Sequence, residues 1–231
     1  MVANSPTKGA EASSAKRPAV YRPTAETRRR LMLAAEWLAA TKGLGGLSAR
    51  EIATEAKLKN NVSVQYHFGS IKALLRELVQ MRMTQLDDIR WDMIAKFQGS
   101  GGDCGVHTLV DIICLPHLIL ARREDGCATY AAFLCQYLPS ANPAGFDWVM
   151  GGSDPRLPAL NWIFARLQEC LPSLPAEIFN RRMTSATLLF LNVVQGLPQE
   201  ALSDERLVET SAVVQDALRQ STAVLLAPTG P

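Results

Sequence analysis

Residues 60–68 read NNVSVQYHF, and among them lie the side chains best suited to act on a partner. Asn60 is a good N-cap for a short helix. In that helix Val64 and Phe68, four apart, pack inward above Leu58 of the preceding turn. The same spacing sets Asn61 with Gln65, and Ser63 with His67, on outward stripes. Amides and hydroxyls without any acid make a surface that pairs with nucleobase edges: an amide reads adenine, and a hydroxyl serves as donor or acceptor. Ser48 and Asn60, each at a helix start, also aim backbone N–H groups at phosphates.

Other reactive sets are less productive. Cys104-x-x-His107 and Cys114-x-x-His117 supply two thiols and two imidazoles. On one helix, however, the pairs stand about 15 Å apart, too far for four bonds of ~2.0–2.3 Å to one zinc. There is no GxSxG, HExxH, GxxxxGK[ST] or GxGxxG, and no paired carboxylates within an apolar run. The expectation is therefore no enzyme, no metal and no cofactor. Asp111, inside an apolar helix, is assigned to solvent rather than to reading a cation.

The elements that must position residues 60–68 follow from caps and periodicity. Thr24 caps a first helix to about Lys42, with Leu31, Ala34, Ala35, Leu38 and Ala39 on its buried stripe. Gly43 is placed as a left-handed C-terminal cap. Ser48-Ala-Arg-Glu51 is a capping box opening a second helix to about Ala56, in which the Ser48 and Glu51 side chains each satisfy a backbone N–H. Gly69 stops the third helix, and Ser70 caps a long fourth one to about Phe97. Further helices are expected near 105–122, 126–138, 158–171, 175–195 and 203–226. The Pro/Gly-rich stretch 139–158 between them is expected to be a mobile loop. With no sustained period-2 alternation, the fold class is all-α: a three-helix helix-turn-helix unit (24–75) between a disordered basic arm (1–23) and a helical body (76–231).

Charge divides along the same lines. The 231 residues carry 24 Lys/Arg and 22 Asp/Glu. Residues 1–75 hold 12 basic against 5 acidic residues, whereas 76–231 hold 12 against 17. A basic head that meets a polyanion and an acidic body that does not is the expected arrangement. With 48% hydrophobic residues the chain can bury a real core. Five cysteines without a CxxC argue for a reducing compartment. Neither a signal-peptide core nor a bilayer-spanning run is present, so a cytoplasmic protein without membrane contact is expected.

The head then becomes recognisable. Residues 29–40 (RRLMLAAEWLAA), 47–56 (LSAREIATEA) and 60–75 (NNVSVQYHFGSIKALL) resemble the N-terminal domain of the TetR family of repressors, while the remaining residues resemble it only in being helical and of suitable length. The resemblance implies a homodimer on double-stranded, palindromic operator DNA, released when a small-molecule effector fills the C-terminal body. By that resemblance Asn60, Asn61 and Ser63 contact base edges or the groove, and Gln65 contacts phosphate or base. Tyr66 and His67 contact the DNA backbone, with Tyr66 equally readable as a core residue with a wet hydroxyl. Ser48 and Arg50 touch phosphate, with Arg29, Lys59 and Lys72 adding positive charge. Arg28, Arg29 and Arg30 add sequence-independent attraction and the arm's Lys16 and Arg17 reach a neighbouring groove, or together they form an ordinary solvated tail. Lys57 departs from the family, which often has Gly there, as does Ile71 where a cation usually faces phosphate.

For the body, candidate pocket residues are Trp91, Met93, Phe97, His117, Tyr130, Phe133, Tyr137, Trp162 and Phe164, implying a mainly apolar ligand; these spacings also suit plain core. The two C-terminal helices, mixing small and apolar residues, read as a four-helix dimer face or as two core helices. A helical enzyme or ligand carrier with an incidental basic head is the alternative to a repressor.

Overall fold

A computed structural model describes residues 25–60, 62–99, 104–123, 129–141, 154–202, 204 and 206–229. Within them every regular element is helical. The order is α1 (Ala25–Lys42), a 3₁₀ turn (Leu44–Gly46), α2 (Ala49–Glu55), α3 (Ser63–Phe68), α4 (Ile71–Gly99), α5 (Val106–Ala121), α6 (Thr129–Ala141), α7 (Pro158–Cys170), α8 (Ala176–Gly196), α9 (Gln199–Leu202), α10 (Leu207–Thr210) and α11 (Ala212–Leu226). No described helix is long and apolar enough to cross a membrane. The expected arm, residue Thr24, Asn61, Cys127 and most of the 139–158 loop lie outside the described residues.

Two hydrophobic cores form. The head core joins Leu31, Ala35 and Leu38 of α1, Ile52 of α2, Val64 and Phe68 of α3 and Leu74 of α4. The body core gathers α4 to α8 and α11 around Leu109, Phe133, Ile163 and Phe190. Because α4 begins in one core and continues into the other, the boundary expected at residue 75 falls inside a continuous helix. α1 also packs on α6, and Gln136 donates a hydrogen bond to the Ala40 carbonyl at 3.5 Å.

Several local expectations need correction. Gly43 has positive φ (86°) but extended ψ (157°), a region essentially reserved for glycine rather than a left-handed cap. The left-handed cap is Gly69, with φ 75°. Ser48 accepts from the Glu51 N–H as expected, at 3.2 Å. The Glu51 carboxylate instead accepts from the Ser48 hydroxyl and from Lys42, which lower its pKa, Lys42 first. α6 continues through Pro139 to Ala141, into the expected loop, and Asp154 begins a turn that delivers α7. The final helix expected over 203–226 is interrupted: Ser211 is extended, and its hydroxyl accepts from the Val214 N–H at 3.4 Å to start α11.

Candidate nucleic-acid interface and buried cavity

The connection from α2 to α3 turns at Lys57, whose φ of 56° puts a non-glycine residue in the left-handed region. Two backbone bonds close it, from the Lys57 N–H to Thr54 and from the Leu58 N–H to Ala53, each 2.9 Å. Arg30 of α1 donates to the Ala56 carbonyl and to the Lys57 carbonyl, clamping the turn. Arg28 donates to the His67 carbonyl, pairs with Glu77 of α4 and stacks 4.3 Å over the Phe68 ring. Both arginines are therefore spent on assembling the head, which corrects their assignment to general phosphate attraction.

α3 starts later than the caps suggested. Asn60 Oδ1 accepts from the Val62 N–H at 3.1 Å, and its carbonyl accepts from the Ser63 N–H and hydroxyl at 3.2 and 2.5 Å. Asn60 thus organises a turn, and the helix begins at Ser63. Ser63 and His67 are buried, at 5% and 6% exposure, and do not form an outward stripe. The reason is angular: at about 100° per residue, positions 63, 64, 67 and 68 occupy one continuous arc, and all four face the core. Burial, and then the nearby Arg28 charge, lower the His67 pKa, which works against a charged contact with phosphate.

The remaining expected contacts divide as follows. Arg50, Lys59, Asn60, Gln65, Tyr66 and Lys72 are exposed, together with Lys57. Tyr66 is 53% exposed, which separates it from the core reading. Arg29 is half-buried on α1, and Ser48 is half-buried with its hydroxyl engaged by Glu51. Ile71 packs against the head core, leaving Lys72 as the exposed cation at the start of α4, where Ser70 accepts from the Ala73 N–H at 3.1 Å. The exposed face is narrower than expected and still contains no acid on α3.

The body contains a small cavity of about 30 Å³ lined by Arg90, Ile113, His117, Phe164, Met183 and Thr187 among others. Of the expected pocket residues, His117 and Phe164 line it. Tyr130 stands behind His117, its hydroxyl 3.1 Å from Nδ1 and the rings stacked at 5.9 Å. Burial, aided by the Arg90 charge, pushes the His117 pKa down to about 3, so the ring is neutral. Phe133 is core, and Tyr137 lines a separate open hollow of about 690 Å³ with Ile71, Lys72, Leu75 and Arg76. Trp91 is half exposed and outside the cavity. Met93 and Phe97 are partly buried, and Trp162 lies under Arg166 at 5.6 Å, so none of the three lines the cavity.

The buried charges of α4 escaped the sequence reading. Arg82 is fully buried and donates from Nε and Nη2 to Glu36 of α1, both at 2.8 Å. Asp87 accepts from the Ala159 and Leu160 N–H groups at 3.0 and 2.8 Å, holding the start of α7. Arg90 is buried beside them. The signal was present: Arg82, Leu86, Arg90 and Ile94 recur at intervals of four, so the two arginines share a helix face with core residues.

Asp111 is half-buried rather than solvated, and burial raises its pKa. Burial pushes the Cys114 thiol up to about 12, leaving it unreactive. Among the described residues no three His, Cys, Asp or Glu side chains come together as metal ligands. No family model matches the chain, and no curated protein matches it in sequence.

Proposed function

We propose that the chain is a DNA-binding transcriptional regulator of the TetR type, a repressor that holds a palindromic operator as a homodimer and leaves it when a small molecule occupies the body. The reading is carried by one observation: Gln65 and Tyr66 stand exposed on an acid-free α3, flanked by Lys57, Lys59 and Asn60, on a three-helix head. Gln65 is the base-reading side chain, Tyr66 a phosphate contact, and Arg50, Lys59 and Lys72 provide salt-sensitive attraction. The dimer forms through α8 and α11, presenting two α3 helices about 34–36 Å apart to successive major grooves.

A continuous series of contacts supports effector control. His117 lines the cavity and meets Tyr130 of α6. The Tyr130 ring lies 5.6 Å from the Arg82 guanidinium, which is bonded to Glu36 of the head. An effector that prefers one arrangement of α4 and α6 thereby biases the spacing of the two heads, and a coupling of about 1–3 kcal/mol suffices for regulation.

The test is a mobility-shift titration on the protein's own promoter region across a salt series. A retarded band that weakens steeply with salt is expected. Gln65→Ala combined with Tyr66→Ala abolishes it without lowering the melting temperature. Binding that is absent from every fragment, or indifferent to both substitutions, overturns the proposal and leaves the carrier reading.

A further inference from the structure

Arg90 is 3% exposed, yet its Nε and Nη1 have no hydrogen-bond partner among the described residues. It lines the body cavity, as does His117, whose Nε2 is also unfilled. The acid facing it is Asp87, one turn earlier on α4, but both Asp87 oxygens are taken by backbone N–H groups of α7. Eight residues away on the same helix face, Arg82 is bonded through two nitrogens to a carboxylate. A buried guanidinium left without such a partner is disfavoured by desolvation that nothing repays. The free space beside it, about 30 Å³, is roughly the share of one water molecule in the liquid. One water supplies an acceptor but no counter-charge.

We propose that Arg90 anchors the carboxylate of an apolar organic acid, with His117 Nε2 alongside and the hydrocarbon part lying among Ile113, Leu134, Leu138 and Phe164. The planar fork of arginine matches a carboxylate through two parallel N–H···O bonds. One unmatched cation next to a neutral imidazole calls for a monoanion, and among the described residues no second cation lines the cavity to hold a phosphate dianion. The walls are otherwise almost wholly apolar. Met83 and Met183 flank the space, and their unbranched, adaptable side chains give it room to expand around a ligand larger than water. The assignment rests on the body being the effector domain and does not depend on the DNA reading.

Titration calorimetry and thermal melting of the full chain, without DNA, test it. The probes are sodium hexanoate, octanoate and phenylacetate, each against its alcohol of the same skeleton, plus sodium chloride. At a concentration a hundred times its Kd, a carboxylate that binds raises the melting temperature by about 5–10 °C. The matched alcohol gives a shift at least several-fold smaller. Arg90→Met removes the unmatched charge at similar volume, so the unliganded variant melts at or above the wild-type temperature while carboxylate affinity falls at least tenfold. Arg90→Lys, keeping charge without the fork, gives an intermediate loss.

Alcohols equal to acids, no binding by any of the three acids, or Arg90→Met affinity within twofold of wild type would each overturn the assignment. Chloride reproducing the full shift would also overturn it, making the site one for an inorganic ion. Should Arg90→Met fail to fold, the acid–alcohol comparison on the wild-type chain decides alone. Because no DNA is present, failure here leaves the operator proposal intact, and failure of the mobility shift leaves this one intact.

Discussion

Replacing Glu36 by Gln is the sharpest perturbation the head–body junction offers. Glu36 and Arg82 are 1% and 0% exposed and share two bonds of 2.8 Å. The substitution keeps the shape and one acceptor oxygen but removes the counter-charge. Arg82 would keep the remaining oxygen of residue 36, Gln85 Oε1 at 3.0 Å and the Tyr130 ring, but would lose the carboxylate charge it faces. Breaking a buried pair from one side costs about 3–5 kcal/mol, because the surviving charge stays desolvated. For a chain of this size each kcal/mol moves the melting temperature by about 2–4 °C, so a fall of roughly 6–20 °C is expected. Removing both charges, Glu36→Leu with Arg82→Met, eliminates the stranded cation and is expected to be neutral or stabilising by about 1–4 kcal/mol. Denaturant unfolding of wild type, Glu36→Leu, Arg82→Met and the double variant, the four corners of one cycle, gives the coupling directly. A Glu36→Gln variant melting within ~2 °C of wild type would refute the reasoning: the pair would then be wet and the junction held by apolar contacts alone.

Other perturbations follow from the same geometry. Lys57→Gly is expected to stabilise by about 0.5–1 kcal/mol, since glycine relieves the left-handed φ at some cost in unfolded-state entropy, whereas Lys57→Val destabilises; urea midpoints check both. His117, held neutral with its pKa pushed down to about 3 from the ordinary 6.5, costs stability as pH falls: below 6.5 the unfolded chain binds a proton that the native chain refuses. Between pH 6 and 4 that contributes a decline of about 1.4 kcal/mol per pH unit, and His117→Gln should flatten the measured slope by nearly that much. Ala186, whose carbonyl accepts from Ser221 at 3.2 Å across the α8–α11 seam, tolerates no extra volume. Ala186→Leu should cost about 1–3 kcal/mol, read as a lower denaturant midpoint.

What could be read from the chain alone was whatever local chemistry dictates. The Ser48 and Ser70 caps, the stop at Gly69 and the apolar stripe of α1 all act within one or two turns, and the structure contains each of them. The rotation of α3 was not readable, because stripe spacing alone leaves open whether Ser63 and His67 join Val64 and Phe68 at the core. That choice is made by packing against distant elements, such as α1, whose Arg28, 39 residues away, reaches the His67 carbonyl. The burial of Arg82 and Arg90 was legible in their four-residue spacing with Leu86 and Ile94, but the partners of the α4 charges were not: Glu36 finds Arg82 at a separation of 46 residues and Asp87 finds Ala159 at 72. The break at Ser211 was a different failure. Its cap is as local as those at Ser48 and Ser70, but apolar periodicity on both sides masked it.

The two arginines of α4 show why position matters more than charge. Eight residues apart, they lie about 12 Å apart along one helix face, and that face turns inward at both. At the first, the head supplies a carboxylate, so the guanidinium ties α4 to α1 whatever the body contains. At the second no described residue supplies an acceptor to Nε or Nη1, so on the proposed binding mode its occupancy depends on what enters the cavity. Tyr130 and His117 lie between these points, joined by the hydrogen bond at 3.1 Å. On the proposed binding mode, an anion at Arg90 would draw on the guanidinium and on His117 together, and a shift of His117 would reach Arg82 through Tyr130. The fixed pair thus serves as the reference against which the variable one can move α4. A chain with both arginines permanently paired would be more stable and would have no charge left to sense.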